Sequence, residues 1–244
     1  MAAKDGKLPD IVQKSAARLT VSRMTDAGAD SSPKVQMPAA RTIMPPYLVL
    51  RDFLPKETVA ALLEFALAHE ADFKPTGVGR TKDDAVKPDI RMSVGTRELG
   101  PFKPILKEKL RALVPQLVAR LRATPVEDPK FELQLVAHND GAFYKHHIDT
   151  LTASDREGLR VLSGVYYFHA SPKAFTGGAL RLYAIGDPDK KKFVDIEPAH
   201  NTLLVFPSWA PHEVMPVSCP SKRFADSRFT VNCWVHRRKA GTAT

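Results

Sequence analysis

Two residues in the run Tyr144-Lys145-His146-His147-Ile148-Asp149 have the types and spacing to share a metal ion. On an extended strand, positions i and i+2 point to the same face, so His147 and Asp149 can address one ion together. His212, in Pro211-His212-Glu213-Val214, lies much later, just after an apolar stretch, and can supply a third ligand. Two imidazoles and one carboxylate on one face leave three positions open, which suits Fe(II) that must also bind a co-substrate and O₂. An H-x-D pair alone decides little, because in a chain with eight histidines such a pair arises by chance about half the time. A lone histidine such as His212 decides little as well.

Arg228 adds weight. It opens an alternating run in which Arg228, Thr230, Asn232 and Trp234 share one face, while Phe229, Val231, Cys233 and Val235 share the other. An arginine facing into a small barrel is expensive unless it meets an anion. A carboxylate gripped by two parallel hydrogen bonds would answer that cost. The bland alternative is an exposed arginine on an edge strand. A 2-oxo dicarboxylic acid would fit both halves of the pattern, chelating iron at one end and meeting Arg228 at the other.

Elements must carry these residues. After Pro129 the sequence turns into short β-rich runs separated by turn signals: Phe131–Ala137, Phe143–Asp149, Val161–His169, Ala179–Ala184, Phe193–Ile196, Thr202–Phe206, His212–Val217 and Arg228–His236. About eight short strands at this spacing predict a sandwich or barrel. Upstream, Tyr47–Leu50 reads as a short strand and Pro55–Phe73 as a helix, with Val59, Leu62, Leu63, Ala66 and Leu67 at helical spacing. Residues 74–100 read as a long loop with one strand near Ile90–Val94. A second helix covers Phe102–Arg122, with Ile105, Leu106, Leu110, Leu113, Leu117 and Leu121 on its inner stripe. Pro115 lies inside it and predicts a kink or a break. The domain reading is therefore a flexible basic arm over 1–45 with a short helix across Ile11–Met24, a helical support region over 46–130, and a core over 131–238.

Composition sets outer bounds. The chain has 244 residues, 43% hydrophobic and 26% charged, enough for one sizeable core. Its two cysteines, Cys219 and Cys233, suggest no disulfide framework and suit a reducing, cytoplasmic setting. Cys233 reads as a buried strand residue and Cys219 as a loop thiol. No apolar run is long enough to cross a membrane. The net charge of +9 is spread along the chain without an aromatic-basic patch, which disfavours nucleic-acid binding as the main function. Oligomeric state is not readable.

The stretches Tyr144-x-x-His147-x-Asp149, Val165-Tyr166-Tyr167-Phe168, Gly177-Gly178-Ala179-Leu180-Arg181-Leu182, Asp195-Ile196-Glu197-Pro198, Leu203-Leu204-Val205-Phe206, Pro211-His212-Glu213-Val214-x-Pro216 and Arg228-x5-Trp234 occur in this order. Together they resemble the prolyl 4-hydroxylase superfamily of Fe(II)/2-oxoglutarate-dependent dioxygenases, most closely the EGL-nine-type prolyl hydroxylases and their bacterial relatives. The resemblance implies a mainly β fold with N-terminal helices, built on a double-stranded β-helix, or jelly roll. It implies iron at His147, Asp149 and His212, and 2-oxoglutarate held by Arg228 and Tyr167, with Tyr144 lining the same pocket; Asn232, which shares the face of Arg228, is a further candidate beside the co-substrate. Its cofactors are Fe(II), 2-oxoglutarate and O₂, with ascorbate as a candidate reductant. Its reaction is hydroxylation of a C–H bond in a prolyl residue of a protein or peptide, or in a related amino acid, with succinate and CO₂ as co-products.

Two departures stand out. Where close relatives often place a tyrosine on 2-oxoglutarate, this chain has His138, which either takes over that hydrogen bond or caps the turn Asn139-Asp140-Gly141. Arg228 lies further beyond His212 than in compact relatives, and the excess, Ser218–Ser227, reads as a surface loop beside the pocket. With Lys74–Met92 and Thr150–Arg160, it is one of three loops placed to select substrate. His146 should face away from the metal. Gly177-Gly178 reads as a turn or a close backbone approach. His169, His200 and His236 read as structural, and Trp209 as a pocket wall or plain core. The rival readings are a cupin-like metal enzyme that does not use 2-oxoglutarate and a non-catalytic binding module. Arg228 argues against the first and the intact ligand set against the second. A halogenase would need the position that Asp149 fills.

Overall fold

The alternation along residues 228–236 is realised in full in the computed structural model, which describes residues 41–78, 86–150 and 159–237. Phe229, Val231, Cys233 and Val235 are buried in the main apolar core, and Arg228, Thr230, Asn232 and Trp234 point the other way, into the barrel.

In chain order the elements are β1 (Leu48–Arg51), α1 (Lys56–Ala68), β2 (Lys74–Pro75), β3 (Arg91–Met92), β4 (Val94–Thr96), α2 (Phe102–Leu121), β5 (Lys130–His138), β6 (Phe143–His147), β7 (Leu159–Phe168), β8 (Thr176–Gly177), β9 (Leu180–Tyr183), β10 (Phe193–Ile196), β11 (Thr202–Pro207), β12 (His212–Val214), β13 (Val217–Ser218) and β14 (Arg228–Arg237). A major sheet runs β1-β11-β7-β14-β5-β4-β2, and a minor sheet runs β10-β9-β12-β6-β3. Strands of the minor sheet come from between strands of the major one, and all their pairings are antiparallel, the mark of a double-stranded β-helix. The fold is mainly β, with both long helices preceding the core strands.

Three layers result. One face of the major sheet, through Leu133, Leu135, Leu162, Tyr166, Leu203 and Phe229, packs on α1 and α2. Its other face meets the minor sheet through Tyr167, Leu204 and Phe206 against Leu180, Leu182 and Ile196. Each fully buried leucine in these layers contributes about 1.5–3 kcal/mol by leaving water. The helices thus brace the outside of the sheet and leave its inner face free to carry polar groups.

Several expectations need correction. Helix α1 ends at Ala68, not Phe73, and a single 3₁₀ turn follows over Glu70–Asp72. The His69 ring explains the stop: Nδ1 donates to the Phe65 carbonyl at 2.8 Å and satisfies one of the free carbonyls of the last turn. Helix α2 runs through Pro115 without a break, and Pro115 sits on its exposed side. Its buried stripe is Phe102, Leu106, Leu110, Val114, Leu117 and Leu121, whereas Ile105 is 42% exposed. The expected single strand near Ile90–Val94 is two, split at Ser93, with β3 in the minor sheet and β4 in the major. The expected strand His212–Val217 is likewise two, β12 and β13, with Met215-Pro216 between. The proposed arm falls almost entirely outside the described residues, as does the helix Ile11–Met24. Among the described residues, no helix is long and apolar enough to cross a membrane.

Candidate metal centre and carboxylate pocket

Strands β6 and β12 pair with His147 directly opposite His212. The ring centroids lie 4.1 Å apart. Each ring is fixed by the same device. His147 Nδ1 lies 2.7 Å from the Lys145 carbonyl, and His212 Nδ1 lies 2.9 Å from that of Ala210. A carbonyl can only accept, so both Nδ1 atoms carry a proton, which leaves Nε2 as the atom of each ring that can face a metal. Burial first, and then the neighbouring His212, depress the His147 pKa to about 3, so the ring is neutral at ordinary pH.

Asp149 arrives differently from the sequence reading. It lies beyond the end of β6, and its backbone N–H donates to the Ser208 carbonyl at 2.9 Å. Its carboxylate sits 3.7 Å from both Nε2 atoms, and the three side chains offer ligand atoms all within 4.8 Å of one another. Oδ2 accepts from the Ser163 hydroxyl at 2.7 Å and from the Trp234 indole N–H at 2.9 Å. Burial pushes the carboxyl pKa up, but His212, His147, Arg160 and the Ser163 hydroxyl outweigh it and hold Asp149 ionised, with a pKa of about 2. Behind it, Arg160 lies 3.9 Å from Oδ1, covers the Trp234 ring at 4.0 Å and pairs with Glu132 at 2.7 Å. Two carbonyl-anchored imidazoles and one anchored carboxylate fit a divalent metal.

Tyr144 stacks on His147 with centroids 3.6 Å apart, and the Arg91 guanidinium covers the Tyr144 ring at 4.9 Å. In a regular strand Tyr144 and His147 would face opposite ways. A β-bulge in β6 between them turns both inward and leaves His146 on the outside.

Deeper in the barrel lies a second cluster. Arg228 is 1% exposed and its guanidinium covers the Tyr167 ring at 4.9 Å. Arg228 Nε and Nη2, the Tyr167 hydroxyl and Thr230 Oγ1 are all buried and without a hydrogen-bond partner. Burial pulls the arginine pKa down and pushes the Tyr167 pKa up to about 12, the latter against the guanidinium's charge. An unpaired guanidinium in such a place costs several kcal/mol, and an anion repays it. Nε and Nη2 form the side-on fork that matches a carboxylate, and two hydroxyls flank it. Gly178 makes the space: a Cβ there would stand 2.7 Å from Arg228 Cδ and 2.9 Å from Val217 Cγ2. The same cavity is lined by His147, Asp149, His212, Arg228, His138, Tyr144 and Asn232, so the candidate metal ligands and the fork share one chamber.

These residues match a known pattern along the chain. Residues 133–236 match the family model of the 2OG-Fe(II) oxygenase superfamily. The chain is also similar to an uncharacterised PKHD-type hydroxylase of Synechocystis sp., 40% identical over 151 residues, which are 59% of this chain and 48% of that one. The chain thus spans about half the length of the curated relative it matches. Among solved structures, a Pseudomonas putida prolyl-4-hydroxylase matches with a TM-score of 0.56 and 25% identity, over 80% of this chain and 94% of that one. A Trichoplax adhaerens prolyl hydroxylase, solved with a peptide fragment of the hypoxia inducible factor oxygen degradation domain, has the same fold, with a TM-score of 0.56 and 22% identity over 78% of this chain and 83% of that one.

Some sequence expectations did not hold around the chamber. Ser218–Ser227 does run over the surface, with Ser218 and Pro220 to Arg223 exposed, but its other side is packed. Cys219 is fully buried, Phe224 packs on Phe73 and Phe229 at 5.0 and 5.2 Å, and Asp226 accepts from Ser221 and Arg223. Trp209 neither lines the chamber nor joins the core, being 43% exposed. His138 meets Arg228 itself. His169 and His200 pack on each other at 5.0 Å, and His236 meets Glu132 at 3.3 Å, as structural histidines do. Sequence reasoning missed Ser163, Arg160, Glu132 and Arg91. Only Ser163 left a signal, as a hydroxyl on the inner face of a strand that otherwise turns Val165 and Tyr167 inward.

Proposed function

We propose that this chain is an Fe(II)- and 2-oxoglutarate-dependent hydroxylase that oxidises a C–H bond of a prolyl residue in a protein or peptide, or of a related amino acid. The observation that carries the reading is the pairing, in one chamber, of a His-Asp-His ligand set with a buried guanidinium whose fork has no partner. A cupin-like enzyme without 2-oxoglutarate has no use for that fork.

In this reading His147, Asp149 and His212 hold the iron. Arg228 grips the far carboxylate of 2-oxoglutarate, and the Tyr167 and Thr230 hydroxyls complete its donors. Bound there, iron, 2-oxoglutarate and O₂ supply the oxidising power that places a hydroxyl on the substrate and leaves succinate and CO₂. The protein orients and protects. Ser163 and Trp234 fix the Asp149 carboxylate, the two carbonyl-anchored imidazoles keep their lone pairs forward, and Val165, Leu180 and Val214 make apolar walls that exclude water. The prolyl substrate class is supported by the likeness to the Pseudomonas putida prolyl-4-hydroxylase.

Anaerobic titration of the protein with Fe(II) and then 2-oxoglutarate tests the cofactors, since the chelate gives a weak visible charge-transfer band. Its absence at saturating iron overturns the co-substrate reading. Succinate release, measured with proline-containing peptides against free proline, tests the substrate class. Turnover dependent on neither removes it.

A further inference from the structure

Arg228 offers five N–H donors on a flat guanidinium, and one side-on fork alone matches a carboxylate well. Something must decide which edge faces the chamber. Strands β14 and β5 set Arg228 directly opposite His138. Arg228 Nη1 lies 3.2 Å from His138 Nδ1. The guanidinium can only donate, so Nδ1 accepts and the ring proton sits on Nε2. Nη1 is thereby occupied, and Nε and Nη2 are what remain, both buried and both unpartnered.

We propose that His138 is a positioning residue: a neutral imidazole that engages Nη1 of Arg228 and so presents the Nε–Nη2 fork to the far carboxylate of 2-oxoglutarate. The proposal rests on the reading of Arg228 as the co-substrate anchor. It separates His138 from a direct ligand of 2-oxoglutarate and from a mere cap on the following turn.

Three features carry it. First, the ring has to be neutral to accept. His138 is 3% exposed, and burial, then the charges of Arg228 and Arg91, hold its pKa well below the ordinary histidine value. Second, both partners hang on one rigid frame. The turn after His138 is tied to the segment that leads into Arg228: Asn139 Nδ2 donates to the Arg223 carbonyl at 2.9 Å and to the Ser227 hydroxyl at 2.8 Å, the Cys219 N–H to Asp140 Oδ1 at 2.9 Å, and the Gly141 N–H to the Val217 carbonyl at 2.8 Å. The extra residues between His212 and Arg228 therefore lock the pair together. Third, the other flank is closed, because Gly178 packs against Arg228 Cδ and Nε too tightly for any side chain.

The test compares His138→Asn, His138→Gln and His138→Leu. Asparagine can place its carbonyl oxygen where Nδ1 stands, while glutamine reaches the position of Nε2. Each Fe(II)-loaded protein is titrated anaerobically with 2-oxoglutarate through the charge-transfer band. Fe(II) affinity without 2-oxoglutarate and melting temperature are measured beside it. His138→Asn should stay within about threefold of wild type in 2-oxoglutarate affinity. His138→Gln and His138→Leu should lose about tenfold or more, the scale of one hydrogen bond to a charged group. Fe(II) affinity should be unchanged in all three. Retention by His138→Gln with loss by His138→Asn would mean that the ring binds the co-substrate through Nε2, and overturns the proposal. Equal affinities across the three variants make His138 a space filler and overturn it too. A wild-type protein without the band fails the co-substrate reading itself, and this proposal with it.

Discussion

A Cβ on Gly178 would stand 2.7 Å from Cδ of Arg228, inside any real contact distance. The backbone at Gly178 also has φ of 70°, which side chains other than glycine's rarely adopt. Gly178→Ala should therefore push Arg228 out of line and weaken 2-oxoglutarate binding by about tenfold to a hundredfold while Fe(II) affinity holds, since a misplaced fork loses its paired hydrogen bonds. Binding curves for the two, measured separately, check this. Unchanged 2-oxoglutarate affinity would show that Arg228 relaxes without cost.

Arg228→Ala should raise the apparent KM for 2-oxoglutarate on the order of a hundredfold with iron binding nearly unchanged, because a desolvated pair loses a few kcal/mol when one partner goes. Arg228→Lys should do less damage, as it restores the charge without the fork. A 2-oxoglutarate titration with Fe(II) in excess reads both. If both match wild type, the rival without 2-oxoglutarate becomes the better reading.

His147→Ala, Asp149→Ala and His212→Ala should each abolish turnover and leave a folded protein, because the three side chains converge on one point and carry no part of the apolar core. Circular dichroism and metal analysis accompany the activity assay. Full activity in any one variant, with iron still bound, would remove that residue from the ligand set. Asp149→Gly should lose hydroxylation yet can keep iron through the two imidazoles and 2-oxoglutarate, and a wild-type rate there would exclude Asp149 as a ligand.

Ser163→Ala and Trp234→Phe each delete one donor to Asp149 Oδ2. Loss of such an outer partner typically costs about tenfold to a hundredfold in metal affinity or activity. Fe(II) or Co(II) affinity should therefore fall in both, with 2-oxoglutarate affinity at saturating metal much less affected. Metal affinities equal to wild type in both would show that the carboxylate needs neither donor.

Tyr167→Phe keeps the ring beneath Arg228 and removes only the hydroxyl. A loss of roughly tenfold in 2-oxoglutarate affinity is expected for one donor to a carboxylate. Burial holds the Tyr167 pKa up at about 12, so this donor stays protonated throughout the working range. The ratio of wild-type to Tyr167→Phe affinity should accordingly stay flat from about pH 7 through the ordinary tyrosine value of about 10 and shrink only as the pH approaches about 12. A ratio that collapses near pH 9 would contradict a neutral Tyr167 donor.

The clustering of His147, Asp149 and His212 was legible because metal chemistry fixes residue types, and these three had few other uses together. Arg228 was legible because period-two alternation put a charge on the inward face of an apolar strand. The route by which Asp149 reaches the site was not, since it depends on a backbone bond to Ser208 far along the chain. Nor was the bulge that brings Tyr144 to the side of His147, because nothing in the local pattern marks an extra residue. Ser218–Ser227 was legible as a surface segment, but its packed side was not. Its polar residues are satisfied within the segment and by Asn139, so a composition that suggests solvent hides a packed structure. Pro115 misled in the opposite direction, as the helix absorbs it on a solvent-facing side.

Strand β14 carries two separate messages on alternate residues, and each can change without rewriting the other. Phe229, Val231, Cys233 and Val235 address the helices, whereas Arg228, Thr230, Asn232 and Trp234 address the reaction chamber. A saturation scan read for both cellular abundance and catalysis should thus show a beat of two along 228–235. Lesions at one set of positions would deplete the protein, and those at the other would leave an abundant protein that cannot work. Drift on the outward set is a matter of how long the molecule lasts. Drift on the inward set is where a new specificity would have to begin.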